Sequence, residues 1–276
     1  MIIYEPKGRA REYSPLALNV YNGCDHGCLY CYVPRVLRRD REEFARDVMP
    51  KKGILEAVQK EAPRRFGTAD QVLLSFTGDP YCRKDDDYRM TRAILKVLLE
   101  NRIPVAILTK GGTRCLQDLD VFKKFGRHIK VGATLTFKKK KDEEKHEPDA
   151  APCAVRLQAL HTLHTYKVKT WVSFEPVIRP DQTLSLLEET LPYVDQYKIG
   201  KINQYLGLDK KIEWEPFLRT AIGILRSAGK PFYVKEDLRD ICPKVRLTTD
   251  ERDMNRLQVP GFDGPAAAAG QSDLFS

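Results

Sequence analysis

Seven short apolar runs rich in β-forming residues punctuate this chain, and an amphipathic segment follows each of the first six. The runs are Leu16–Tyr21 (LALNVY), Gln71–Phe76 (QVLLSF), Pro104–Thr109 (PVAILT), Ile129–Phe137 (IKVGATLTF), Lys169–Pro176 (KTWVSFEP), Val194–Gly200 (VDQYKIG) and a weaker Pro231–Lys235 (PFYVK). The segments between them span about Lys52–Ala62, Asp86–Glu100, Arg114–Phe125, Cys153–Tyr166, Gln182–Leu191 and Glu213–Ala228. Their apolar residues recur at helical spacing, as in MTRAILKVLLE. Strands alternating with helices build βαβ units and a parallel sheet. Six or seven repeats fit a barrel or partial barrel better than a short open sheet. In either arrangement chemistry gathers at the C-terminal strand ends, where the βα loops emerge.

The chain is long enough, at 276 residues, to bury a substantial core. No apolar run approaches the roughly 18 residues of a membrane helix, and the N-terminal MIIYEPKGRAREY lacks the apolar centre of a signal peptide. The expected compartment is therefore a reducing cytoplasm. Seven cysteines there point to thiolate ligands or reactive thiols rather than disulfides. Lys plus Arg number 47 against 38 Asp plus Glu, a net charge of +9 that suits a nucleic-acid partner as well as a merely basic enzyme surface.

Three of the cysteines, Cys24, Cys28 and Cys31, fall in one stretch, NGCDHGCLYCY, directly after the first strand. A structural zinc would need a fourth ligand. His26 is poorly placed for that between two of them, which leaves a distant Cys82, Cys115 or Cys153. An iron–sulfur cube gives another answer, three thiolates on three irons and a fourth iron open to a non-protein ligand.

The signature C-x3-C-x-aromatic-C resembles that of the radical S-adenosylmethionine (SAM) superfamily. More narrowly, SPLALNVYNGCDHGCLYCYVPR, LLSFTGDPY, VAILTKGG, VGATLTF, HEPDAAP and VSFEPVIRP resemble the spore photoproduct lyase-like branch, over about residues 8 to 200. The resemblance implies an α/β fold, a partial (β/α)6 TIM-type barrel with a C-terminal βα extension. It implies a [4Fe-4S] cluster on Cys24, Cys28 and Cys31 whose open iron is chelated by SAM. Reductive cleavage of SAM to a 5′-deoxyadenosyl radical, and hydrogen abstraction from a substrate, would follow. Carried over position by position, Tyr30 would lie near the cluster and the adenine. Thr77, Gly78 and Asp79 would hold the SAM amino group, and Lys110 its carboxylate. Thr134 or Thr136 would reach its ribose or carboxylate, and the backbone of Glu175 to Ile178, Val177 included, would pass the adenine. A reductant such as flavodoxin or ferredoxin would supply the electron. One position departs: Phe76 stands where the lyases place a hydrogen-donating cysteine, so the resemblance supports the radical machinery better than thymine-dimer reversal. Cys82 and Cys115 are the remaining candidate hydrogen donors, with buried small hydrophobes the commoner fate of free cysteines. The substrate could be DNA or another nucleic acid, or a peptide, protein or small molecule. A nucleic-acid-binding module with a structural metal is the reading from a different class.

Other candidates are weaker. His161 and His164 share a helix face but lack a third ligand. Arg35, Arg38, Arg39 and Arg41 could meet phosphate or pair with Asp40, Glu42 and Glu43, and Tyr205, Trp214 and Tyr233 could stack a base or belong to the core. The charged Lys138–Pro152 reads as a solvated connection on the active edge. Residues 1–240 are expected to form one radical SAM domain with its βα extension, and 241–276 a mostly irregular tail. Within it, Gln271–Phe275 (QSDLF) resembles the peptide by which bacterial proteins bind the sliding clamp, which makes the clamp a candidate partner.

Overall fold

The computed structural model describes residues 1–202, 205 and 207–262. The clamp-like Gln271–Phe275 lies outside them. Nine strands occur among the described residues: β1 (Leu16–Leu18), β2 (Tyr21–Asn22), β3 (Met49–Pro50), β4 (Val72–Leu74), β5 (Val105–Thr109), β6 (Ile129–Thr134), β7 (Lys169–Val177), β8 (Gln196–Lys201) and β9 (Phe232–Val234). Seven form one sheet in the order β1-β4-β5-β6-β7-β8-β9, every neighbouring pair parallel, and β2 pairs with β3 in a small antiparallel ribbon. A sheet whose spatial order follows its sequence order, with a helix outside each crossover, curls into a partial barrel. The expected α/β partial barrel is therefore present, with β9 as the C-terminal extension, and β1 and β9 are its two edges.

The strand interiors show why the sheet curls. Leu73, Ala106 and Trp171 meet inside, and the Trp171 indole N–H donates to the Ile107 carbonyl at 2.9 Å. Gly132 faces that ring: a Cβ there would stand 2.3 Å from the Trp171 carbonyl oxygen and 2.5 Å from its Cδ1. Helices cover the outside with apolar faces, for example Ile94, Leu95 and Leu98 of the helix Met90–Glu100 and Phe217, Leu218 and Leu225 of Trp214–Ser227. No helix among the described residues is long and apolar enough to cross a membrane.

Chain segments outside the repeat close both ends. Tyr4 exchanges backbone hydrogen bonds with Ala17 at 3.0 and 2.8 Å, lining the free edge of β1. Residues 241–262 carry a one-turn helix, Thr249–Arg252, and pack against the barrel. Cys242, Val245, Leu257 and Val259 are buried, and the Val259 N–H donates to Gln71 Oε1 at 3.0 Å. Phe262 stacks on His128 at 3.8 Å. Gln71 and His128 precede β4 and β6, so this stretch seals the end of the barrel opposite the βα loops.

Candidate active site

The loop after β1 carries Cys24, Cys28 and Cys31, and all three line one cavity of about 590 Å³ at the C-terminal strand ends. Its size is that of a site for a drug-sized ligand. Burial raises all three thiols above their ordinary pKa, Cys28 to about 12. The loop is held from outside by Arg41, whose guanidinium donates to the Cys28 and Cys31 carbonyls at 2.9 and 3.0 Å. Arg39 lies 3.7 Å from Glu43, and Asp40 caps the helix Arg41–Arg46, so this basic run is spent largely on local structure.

From inside, the loop is tied to Asp79. The Asp79 carboxylate accepts from the Thr109 hydroxyl at 2.6 Å, the Tyr81 N–H at 2.8 Å and the Lys110 N–H at 2.7 Å. His26 Nε2 approaches it at 3.0 Å. Burial pushes this carboxyl up, but His26 and the hydrogen bonds outweigh it and hold the group well below the usual carboxylate range. Asp79 is thus a brace between three loops. The preceding turn is fixed by Asn19, whose Oδ1 accepts from the Phe76 and Thr77 N–H groups at 2.7 and 2.9 Å. Gly78 is where backbone meets backbone: a Cβ there would lie 2.9 Å from the Gly23 carbonyl oxygen. Asn19, a lone amide in an apolar β-run, was the signal in the sequence for this turn.

The Tyr30 hydroxyl donates to Glu147 and lies 3.3 Å from Thr136 Oγ1. Its ring lies 5.5 Å from the Lys110 ammonium, and both residues line the cavity. Glu147 belongs to the stretch read as solvated. In fact the helix Lys140–His146 forms there, and Glu147 is buried and paired with buried Arg156 at 2.6 Å. Neither was singled out from the sequence. The available signal was Arg156 itself, a charge on the buried stripe Cys153, Ala159, Leu160 and Leu163 of its helix.

The other candidates divide. Thr134 lines the cavity, whereas Thr136 is buried behind Tyr30. Glu175 and Pro176 line it, and Val177 is packed in the core beside them. At the far end Tyr13, Glu175 and Lys235 form a polar floor: the Tyr13 hydroxyl donates to Glu175, and the Lys235 ammonium donates to both Glu175 oxygens at 3.0 and 2.9 Å. Cys82 and Cys115, the candidate hydrogen donors, are both buried in the apolar core, and neither lines the cavity that holds the three loop cysteines. His161 and His164 are exposed on their helix. Trp214 and Tyr233 are core residues, while Tyr205 packs edge-on against Tyr30 and hydrogen-bonds His146 at 3.0 Å. No group of three or more His, Cys, Asp or Glu among the described residues is drawn close enough to hold one metal ion. A cube would put each thiolate on a different iron, so its ligands need not converge on one ion.

A profile of the radical SAM superfamily matches residues 18–194, from the last residue of β1 to just before β8, and takes in all three cysteines and most of the cavity lining. The chain belongs to the radical SAM superfamily. An uncharacterised protein of Methanocaldococcus jannaschii is 27% identical over 204 residues, 73% of this chain and 74% of that one. One from Acidianus two-tailed virus is 26% identical over 187 residues, 64% and 61%. Among solved structures, SuiB of Streptococcus suis bound to SAM matches with a TM-score of 0.57 at 16% identity, over 84% of this chain and 53% of that one. This chain thus corresponds to about half of SuiB. A spore photoproduct lyase variant matches with a TM-score of 0.61 at 11% identity, over 83% and 78%. At such identities the structural likeness speaks for the fold alone.

Radical SAM enzymes use a [4Fe-4S] cluster, SAM and a source of reducing electrons, and this one is a member. The residues present fit those groups. Three soft donors from one loop open into the cavity, and a cationic cluster would reverse the burial cost that keeps them protonated. Lys110 and Thr134 stand in the same cavity, an ammonium and a hydroxyl suited to a carboxylate and a ribose.

Proposed function

We propose that this radical SAM enzyme holds its cluster on Cys24, Cys28 and Cys31 and acts on an anionic substrate, with nucleic acid the class best supported. The observation that carries the first half is that three cysteines of one loop share a cavity with Lys110, Thr134, Gly78 and Asp79 at the strand ends. The bound groups supply one-electron reductive cleavage of SAM and hydrogen abstraction from the substrate. The chain's own residues do the rest. Lys110 offers a point charge to the SAM carboxylate, and its place at the end of β5 is fixed by the N–H it gives to Asp79. Because the Asp79 carboxylate is occupied, the turn offers its backbone, rather than that side chain, to the amino group. Tyr30 walls the cysteine side, Thr134 faces the ribose or carboxylate, and Glu175 and Pro176 pass the adenine with Val177 behind them.

Charge supports the substrate class. Among the described residues Lys7, Arg9, Arg35, Lys110, Lys201 and Lys235 line the cavity with two carboxylates, Asp79 and Glu175; Lys235 is paired with Glu175 and Arg9 with Asp237, which still leaves the lining net basic. A positively lined, partly apolar cleft attracts phosphate-bearing ligands. Phe76 lines the cavity where the lyases place their cysteine, so the proposed substrate is not committed to the thymine dimer.

Anaerobic reconstitution tests the reading. A brown protein with about four irons per chain, releasing 5′-deoxyadenosine when reduced with SAM, is the expected result. A colourless protein indifferent to SAM would sink it. For the substrate, binding to single- and double-stranded DNA should weaken steeply with salt, as phosphate neutralisation requires. A flat salt response, or no retention at low salt, would exclude nucleic acid. Flavodoxin or ferredoxin is the proposed electron source.

A further inference from the structure

Arg156 is 1% exposed and Glu147 3%, and they form a buried ion pair directly behind Tyr30 of the cavity wall. A buried pair adds little to stability, because the cost of removing both charges from water offsets their attraction. Its connections suggest what it does instead. Arg156 Nη2 donates to Glu147, Nη1 to the Thr134 carbonyl at 3.0 Å, and Nε to the Ala151 carbonyl at 2.7 Å. The other Glu147 oxygen takes the Tyr30 hydroxyl. The backbone around the pair continues the pattern: His146 O accepts from the Leu29 N–H at 2.9 Å, Asp149 N–H donates to His26 O at 3.2 Å, and Ala151 N–H donates to Lys110 O at 3.0 Å. One short segment thus grips the cysteine loop, the end of β5 and the end of β6.

We propose that Glu147 and Arg156 are positioning residues for SAM, acting through Tyr30: the pair fixes the Tyr30 hydroxyl, the Tyr30 ring fixes Lys110, and Arg156 fixes Thr134. This rests on the reading that Lys110 and Thr134 contact SAM. The charges support it. Arg156 cancels Glu147 at 2.6 Å, so Glu147 does not draw Lys110 down as its own partner, and the Lys110 ammonium remains at the Tyr30 ring face, 5.5 Å from its centre. Without the hydroxyl anchor the ring can rotate, and the ammonium loses its wall.

The test is a thermodynamic cycle on reconstituted protein, read as the SAM dissociation constant by equilibrium dialysis. Tyr30→Phe removes only the hydroxyl. Glu147→Leu with Arg156→Met replaces the pair by apolar groups of similar size, a change that buried pairs tolerate. Each should raise the SAM dissociation constant about tenfold, the worth of a hydrogen bond to a charged group. All three substitutions together should cost no more than the Glu147/Arg156 replacement alone, because the Tyr30 hydroxyl acts only through that pair. Iron content and the electron paramagnetic resonance of the SAM-free reduced cluster should match wild type in every variant, and melting of the apoprotein reports any loss to the fold separately. Wild-type affinity in a folded, fully loaded Tyr30→Phe overturns the inference, as do fully additive losses. If the loaded wild type itself binds no SAM, the cofactor reading fails first.

Discussion

Lys198 is 1% exposed, inside the barrel, and among the described residues no carboxylate oxygen bonds its ammonium. Nζ donates to the backbone carbonyls of Glu12 and, at 3.3 Å, Tyr13, and it lies over the rings of Tyr13 at 5.1 Å and Tyr233 at 5.4 Å. Burial lowers its pKa, and so do the neighbouring Lys235 and Arg11. Glu12 and Glu175 pull the other way, and the result is about 7. The unfolded chain keeps a lysine near its ordinary ~10.4. Between the two values the unfolded state holds a proton that the folded state lacks, so stability rises with pH across that window. At about 1.36 kcal/mol per pKa unit, allowing for half-protonation near pH 7, the gain from pH 7 to 9 is about 2 kcal/mol. Lys198→Met removes the titrating group and keeps most of the volume. Urea midpoints of the reduced apoprotein at pH 7, 8 and 9 measure the difference. The variant should gain most over wild type at pH 7, and its advantage should shrink by about 2 kcal/mol by pH 9. A wild-type-to-variant difference that stays constant across this range refutes the reasoning, because it means that Lys198 keeps its proton when folded.

Gly132→Ala drives a methyl into the Trp171 ring and backbone. It should destabilise by about 3 kcal/mol or more and lower the melting temperature by roughly 6 °C or more, as calorimetry would show. Replacing Cys24, Cys28 or Cys31 by Ala should abolish iron retention, whereas Cys82→Ala and Cys115→Ala should keep full iron content at a stability cost of about 1 kcal/mol, since the latter two lie in the core away from the cavity. Asp79→Asn places an amide among donors from Thr109, Lys110 and His26. A loss of about 3 kcal/mol and faster iron release to chelator are expected, and unchanged release would deny Asp79 its bracing role.

The repeat was legible because apolar residues recur at helical spacing between the strands: Cys153–Thr165 and Trp214–Ser227 begin and end within about a residue of their expected bounds. Boundaries failed where backbone detail intervened. Arg89 adopts a left-handed conformation, φ 52°, and splits the expected Asp86–Glu100 into Asp85–Tyr88 and Met90–Glu100. The 3-10 turn over Gly112–Asp118 likewise shortens the next helix, to Leu119–Phe125. The cysteine loop was legible as chemistry because three thiols at that spacing have few other uses. What sequence could not give was the pairing of distant polar groups. The partners of the Asp79 carboxylate, His26 and the Lys110 N–H, reach it only in three dimensions. Glu147 looked solvated because its neighbours in sequence are charged, while the residue that neutralises it lies across a turn at Arg156.

Tyr4 does two jobs at once. Its backbone occupies the open rim of β1, and its hydroxyl accepts from Asn19 Nδ2 at 2.8 Å, the amide that shapes the Phe76–Thr77 turn. The device that denies a neighbouring molecule a strand to extend is therefore the same one that sets the cavity's wall. An N-terminal truncation or a tag that displaces Tyr4 would expose a sticky rim and deform the pocket together, so that clumping and loss of ligand affinity would arrive as one defect.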